Sequence, residues 1–289
     1  MKKLTDTFIL NNGVEIPCIG YGTWQTPSDG TTKSCVIKAL EAGYRHIDTA
    51  FAYGNEKEVG EGIKDSGIKR EDIFLTTKHW VTYRGFDKTI EAVETSLKNL
   101  GTDYIDLYLI HWPAVEKVSP DWEKINADTW RGFEKMYRDG KIRALGVSNF
   151  EEKHINSLCN FAEIKPAVNQ LEFHPGYTQW DNVKYMQEKG ILVQAWSPLG
   201  SGAVLKNERL KKIAAKYGKD TAQLCVRFAL QKGVLPLPKS TSEERMITNA
   251  QVFDFNIDDN DMNELLTFPL LGFSGYSPED APADALAGN

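Results

Sequence analysis

Long apolar runs are missing from this 289-residue chain: no stretch approaches the roughly 20 residues needed to span a bilayer. The start, MKKLTDTFIL, has two lysines but only a short apolar patch, so no secretion signal is expected and the chain is read as cytoplasmic. Cysteine is scarce. Cys18, Cys35, Cys159 and Cys225 form no CxxC pair, which fits reduced thiols better than a disulfide frame or a metal site. Positive charge is in deficit, with 34 Lys and Arg against 40 Asp and Glu. The balance of −6 argues against nucleic acid or an acidic membrane as partner, while leaving room for a local basic pocket that holds a small anion. A Gly/Ser-rich linker is also lacking, so one domain over residues 1–289 is expected.

What is present is alternation. Short apolar segments suited to strands fall near Ile19 to Gly22, His46 to Asp48, Phe74 to Lys78, Ile105 to Ile110, Ala144 to Ser148, Ala167 to Gln170, Leu192 to Ala195 and Val234 to Leu237. Seven helix-like stretches lie among them, at 31–43, 55–67, 86–101, 128–141, 151–162, 180–190 and 221–233; five close on glycine, the usual residue past a helix C-terminus. Eight strands in such an order predict an α/β fold, a (β/α)8 TIM barrel. The rival, an open doubly wound sheet, normally carries GxGxxG after its first strand, but GYGTWQ has Gln25 where the third glycine belongs. FILNNGVEIP reads as a hairpin turning at Asn12-Gly13 that caps the bottom of the barrel. The Gly-, Pro- and Ala-rich segment 272–289 reads as a loop or tail.

Chemistry in such barrels sits at the C-terminal strand ends. There the sequence offers Gly22-Thr23-Trp24, Asp48 with Tyr53, Lys78 with Trp80, His111-Trp112, Ser148-Asn149, Gln170, Trp196-Ser197 and Lys239-Ser240. Singly each has an ordinary structural reading: Asp48 as a turn residue, Tyr53 as a packed aromatic, His111 as a satisfied core histidine. Lys78 is different. A lysine after a buried strand needs water or a counter-charge, and Asp48 on the neighbouring strand can supply one. Trp24, Trp80, Trp112 and Trp196, all at expected strand ends, predict an aromatic, apolar mouth.

These motifs resemble the aldo-keto reductases over nearly the whole chain. GYGTW, GYRHIDTAFAYGNEKEVGEGI, LTTKHW, IDLYLIHWP, KIRALGVSNF, PAVNQLEFHP, QAWSPLG and LPKSTSEERMITN follow one another in the family's order. The resemblance implies NADPH-dependent reduction of aldehydes and ketones with a catalytic tetrad of Asp48, Tyr53, Lys78 and His111. In it Tyr53 is the general acid, Lys78 lowers the phenol pKa, Asp48 holds Lys78, and His111 orients the carbonyl. It places NADPH/NADP+ on Ser148, Asn149, Gln170, Trp196, Ser197, Leu199, Ser201, Lys239, Ser240, Thr241, Arg245, Asn249, Gly22 and Thr23, with Lys239, Ser240 and Arg245 on the 2′-phosphate. The substrate, a small carbonyl compound, would meet Trp24, Trp80, His111 and Trp112. No metal is implied, and a monomer is expected. Two departures stand out: Thr248 replaces a glutamate common in relatives, and PLGSGAVLKNERL is a short, bacterial-type cofactor loop that predicts easier cofactor exchange. A catalytically idle, cofactor-binding regulatory subunit and a phosphosugar isomerase are the competing readings.

Overall fold

The structure is a computed structural model and describes residues 1–279. The chain opens on an antiparallel hairpin, β1 (Thr7–Ile9) and β2 (Glu15–Pro17), with Gly13 at φ 83° in its turn. Eight parallel strands follow: β3 (Tyr21–Gly22), β4 (His46–Asp48), β5 (Phe74–His79), β6 (Ile105–Ile110), β7 (Ile142–Ser148), β8 (Val168–Glu172), β9 (Leu192–Trp196) and β10 (Leu235–Pro236). Each pairs with its neighbour in chain order, so the sheet is that of the expected (β/α)8 barrel, with the hairpin as an added layer.

The helices are α1 (Thr31–Glu41), α2 (Glu56–Asp65), α3 (Phe86–Leu100), α4 (Trp122–Arg138), α5 (Glu152–Phe161), α6 (Trp180–Glu188), α7 (Glu208–Lys216), α8 (Thr221–Gln231), α9 (Glu243–Ala250) and α10 (Asp259–Leu266). Every expected strand and helix is found. Helix α4 starts six residues earlier than the sequence pattern suggested, at Trp122. There Asn126 ties the turn to Ala114, accepting from the backbone N–H at 2.8 Å and donating to the carbonyl at 3.1 Å. Helices α7, α9 and α10 are additional. Each is announced by an N-cap, Asn207, Ser242 and Asp258, whose side chain accepts a backbone N–H of the first turn.

Alternation along the strands sorts the core into two layers. Leu75 and Tyr108 face the helices, in a large cluster with Val93, Trp130 and Phe133. Phe74, Leu107, Leu109, Val168 and Leu235 face inward, and Leu10 and Ile16 of the hairpin complete that inner cluster from below. Asn11 and Asn12 fasten the hairpin by donating to the carbonyls of Pro166 and Arg143. The lower barrel is therefore a plugged apolar core. The upper interior is polar, since the same alternation brings Asp48, Lys78, Gln170 and Gln194 inside.

Among the described residues the barrel closes between β10 and β3 by two backbone bonds, Gly20 N–H to the Pro236 carbonyl at 3.1 Å and Gly22 N–H to the Pro238 carbonyl at 3.3 Å, with the Tyr21 hydroxyl donating to the Ser240 carbonyl at 2.6 Å above them. Prolines 236 and 238 accept but have no N–H to return, so this seam carries half a ladder. Close approach requires glycine at position 20: a Cβ there would come within 2.5 Å of both His46 and Leu237 side-chain atoms.

Segment 272–279 runs without helix or strand over the barrel mouth. Residues 280–289 of the expected tail lie outside the described residues.

Candidate active site

Asp48, Lys78 and His111 reach the upper rim for one reason: each lies two residues beyond an inward-facing position, after His46, Thr76 and Leu109. Tyr53 arrives on the short 3-10 turn Phe51–Tyr53 directly after β4. Asn55 fixes that turn, donating to the Thr23 carbonyl at 3.0 Å and accepting from the Thr49 hydroxyl at 2.7 Å. The Lys78 ammonium, only 1% exposed, then has three partners: Asp48 Oδ1 at 2.6 Å, the Thr49 carbonyl at 2.8 Å and the Tyr53 hydroxyl at 3.3 Å. Three donors meet three acceptors, which is what a buried ammonium requires.

The second Asp48 oxygen is held by Gln170, whose Nε2 donates to Asp48 Oδ2 at 2.8 Å and to Gln194 Oε1 at 2.9 Å. Because a carboxylate only accepts, this fixes the orientation of the Gln170 amide. Both amide protons are spent, and Oε1 is left for whatever enters the cavity. Asn149, held at φ 62°, donates to the His111 carbonyl at 3.0 Å and to Ser148 Oγ at 3.1 Å, and accepts from Trp196 Nε1 at 2.9 Å. The Ser148 hydroxyl in turn donates to the Gln170 carbonyl at 2.8 Å.

Burial governs the protonation of this group. It pulls Lys78 down, but the attraction of Asp48 and Tyr53 outweighs it, and the ammonium is held above its ordinary value. Burial raises Asp48 against the opposing pull of Lys78. Tyr53 is raised as well, since burial outweighs the lowering effect of the Lys78 cation. Lys78 acts on the phenol in the expected, lowering direction, but burial, joined by the Asp48 charge, is larger. Burial, reinforced by Lys78, drives His111 well below the usual imidazole range, so the ring is neutral. Its Nδ1 is buried without a partner among the described residues. The Tyr53 and His111 rings meet edge to face with centroids 5.7 Å apart, and Trp80 packs on His111 at 5.2 Å.

Above this group opens a cavity of about 1140 Å³. One end is aromatic, with Trp24, Trp80, Trp112 and Tyr276 around Tyr53 and His111. The cavity continues past Ser148, Asn149, Gln170 and Trp196 along Ser197, Leu199 and Ser201, and ends at Lys239, Ser240, Thr241, Arg245 and Asn249. Gly22 lies beside the seam, where a Cβ would stand 3.2 Å from the Leu237 carbonyl. Among the described residues neither Lys239 nor Arg245 has an ion-pair partner, so two cations stand free at the far end. Thr23 does not line the cavity: its hydroxyl donates to the Asp48 carbonyl at 3.0 Å, a structural bond. Lys78 also stands behind the wall, reaching the cavity through Tyr53.

Sequence reasoning passed over several contributors. Gln194 left no signal, because its role depends on a partner from the next strand. Lys211 at the far end was missed with helix α7, although Asn207 followed by Leu210, Ile213 and Ala214 gives a cap and a helical stripe; Lys219 and Thr221, just before and at the start of the expected helix at 221–233, were passed over as site residues. His79, read as structural, faces away from Lys78 and bonds to the Tyr83 carbonyl through Nε2 at 2.9 Å.

A buried Asp–Lys–Tyr chain thus lies at the floor of a long cavity lined by amides, aromatics and cations, an arrangement able to pass a proton to a group bound there. The model of the aldo/keto reductase family matches residues 18–267, and the chain belongs to that family. It is 48% identical to the glyoxal reductase of Bacillus subtilis over 91% of this chain and 92% of that protein. It is 43% identical to the 9,11-endoperoxide prostaglandin H2 reductase of Trypanosoma cruzi, with 89% of each chain covered. Among solved structures, an aldo-keto reductase from a deep-sea metagenome superposes with a TM-score of 0.86 at 44% identity, covering 91% of this chain and 94% of that one. The Bombyx mori aldo-keto reductase in complex with NADP superposes with a TM-score of 0.85 at 36% identity, covering 92% and 93%.

Proposed function

We propose that this enzyme reduces aldehydes and ketones to alcohols with NADPH, and that Tyr53 is the proton donor. The observation that carries the reading is the Lys78 ammonium shared between Asp48 and the Tyr53 hydroxyl at the floor of an aromatic cavity. A phenol at neutral pH is protonated but a poor acid, and a fixed cation beside it stabilises the phenolate that forms as the proton leaves. Asp48 keeps that cation charged and aimed. The neutral His111 ring can hold the substrate oxygen by a hydrogen bond without competing as an acid.

The cavity fits the dinucleotide. The free Oε1 of Gln170 and the held amide of Asn149 suit a carboxamide, and Trp196 offers a ring face beside them. Ser197 and Ser201, whose hydroxyls lie 3.1 Å apart, line the stretch where a pyrophosphate would run. Lys239 and Arg245 with Ser240 suit a 2′-phosphate, which favours NADPH over NADH. When bound, the cofactor supplies the hydride; this chain binds it, orients it and delivers the proton. The relatives' names cover glyoxal and a prostaglandin endoperoxide, and the Bombyx mori structure holds NADP, which supports the cofactor and the reaction class more than any one substrate.

The test is Tyr53→Phe, assayed with NADPH and an aromatic aldehyde by absorbance of the reduced cofactor. Turnover should fall by about 10²–10⁴ while NADPH binding, read by fluorescence titration, is kept. Retained turnover would remove Tyr53 from the role. Cofactor bound without turnover by the native enzyme, on any carbonyl compound, would favour a regulatory subunit.

A further inference from the structure

Glu172, the last residue of β8, is 1% exposed and takes no part in the chemistry described above. A carboxylate so buried must find donors, and most of its donors come from the far end of the chain. The Ser274 hydroxyl donates to Glu172 Oε2 at 2.7 Å and the Ser274 N–H to Oε1 at 3.0 Å. His174 Nε2 closes on Oε1 at 3.1 Å, and its Nδ1 lies 3.0 Å from the Pro175 carbonyl, so the ring itself is fixed.

The Ser274 hydroxyl also accepts, from the Tyr276 N–H at 3.2 Å. Tyr276 lines the cavity and meets Trp112 edge to face, centroids 6.5 Å apart. Glu172 therefore holds Ser274, and Ser274 holds the backbone of an aromatic wall. The segment is also anchored before it, by Leu271 N–H on the Gly176 carbonyl at 3.2 Å and Phe273 against Tyr177 at 4.3 Å, and beyond it, where Lys153 pairs with Glu279 at a half-exposed surface. Beside Tyr276 a small cavity of about 20 Å³ is lined also by Glu172, Asn149 and Trp196, so packing is incomplete on that side and the Ser274 bonds add to the hold on the wall.

We propose that Glu172 is a positioning residue that fixes the Tyr276 wall of the carbonyl pocket, and that through it the enzyme selects substrates by the size of the body attached to the carbonyl. This rests on the carbonyl-reductase reading. A small carbonyl compound engages Tyr53 and His111 without reaching the wall. A compound with two fused rings extends to Trp112 and Tyr276, and loses binding if the wall has to be ordered each time it binds.

The experiment compares Glu172→Gln and Ser274→Ala with the native enzyme on methylglyoxal and 2-naphthaldehyde, together with amide hydrogen exchange at residues 274 and 276. The glutamine keeps the shape but turns an amide N–H toward donors that need an acceptor. KM for 2-naphthaldehyde should rise about tenfold with kcat little changed, the signature of lost uniform binding. Constants for methylglyoxal and the Kd for NADPH should stay within about twofold. Exchange at both amides should quicken by about tenfold or more. Unchanged exchange, or an equal rise in KM for both aldehydes, would overturn the proposal. If Glu172→Gln does not fold, Ser274→Ala decides alone, since it removes the hydroxyl from a partly exposed loop. If the native enzyme reduces neither aldehyde, the carbonyl reading fails while the exchange rates still decide whether Glu172 holds the wall.

Discussion

Two buried aspartates, Asp48 at the top of the barrel and Asp106 near its bottom, show what separates a site from a strut. Asp106 on β6 is fully enclosed by donors: Arg143 at 2.6 Å, Arg70 at 2.7 Å and the Leu75 N–H at 3.0 Å. Arg70 spends its other donors on the Ile73 and Tyr104 carbonyls and the Thr102 hydroxyl. The group is saturated. Asp48 is equally buried, but its chain of donors runs on through Lys78 to a phenol that faces a cavity. Residue type and burial are alike; what differs is whether the network ends within itself or at an open face.

The largest effect expected from that difference is on catalysis. Tyr53→Phe should cost about 10²–10⁴ in kcat and, because one Lys78 donor loses its acceptor, about 1 kcal/mol in stability by calorimetry on the same sample. Asp106→Ala should do the reverse. It removes the buried acceptor of the Leu75 N–H and of the partly exposed Arg70 and Arg143, which costs on the order of 1–3 kcal/mol in denaturant titration, with the Kd for NADPH intact. If it changed cofactor affinity instead, the two ends would be coupled and the contrast would fail.

Asp48→Asn sharpens the comparison through pH. With the carboxylate gone, burial is no longer outweighed and the pKa of Lys78 falls, so the alkaline decline of kcat should move to lower pH than in the native enzyme. A decline at unchanged pH would mean that Asp48 does not hold the lysine charged.

Acid stability is a smaller and more general effect. Burial lowers His46 to about 3, and His79 and His154 to about 4, from 6.5. Each stays neutral when folded and takes a proton on unfolding, so its contribution is complete above the unfolded pKa and is lost as pH falls. From about pH 6 to 4, stability should decline by roughly 1.4 kcal/mol per pH unit for each such group, measured by urea denaturation. A flat profile would show that these rings are protonated in the fold. The smallest effect is expected at the surface, where Lys135→Ala breaks an exposed i,i+4 pair with Asp139 and should cost no more than about 0.5 kcal/mol.

Most of the fold was legible because strand and helix periods differ sharply and glycines mark the helix ends. Alternation in FLTTKH was enough to turn Lys78 inward and His79 outward. The site was legible wherever one residue type at a strand end carries the meaning, as for Asp48, Lys78 and His111. The relation between Glu172 and Ser274 was not, since 102 residues separate them and neither is unusual in its own neighbourhood. Nor was the balance at Tyr53, where two opposing effects are known by sign from sequence and by size only from the depth of burial. Helix α4 was read short because its start follows a long connection and is fixed by Asn126 bonding to Ala114, twelve residues away, which no local pattern shows.

The seam between β10 and β3 has a consequence for mechanical strength. Because Pro236 and Pro238 return no hydrogen bonds, the cylinder is least well sewn along one line, and it is there that a thermal fluctuation should first part the wall. Gly22 stands on one lip of that line and Lys239 just past the other, both bordering the long cavity. A molecule lying across them acts as a rivet. Occupancy should therefore raise the melting point by mass action and also slow amide exchange along this one joint more than elsewhere in the sheet.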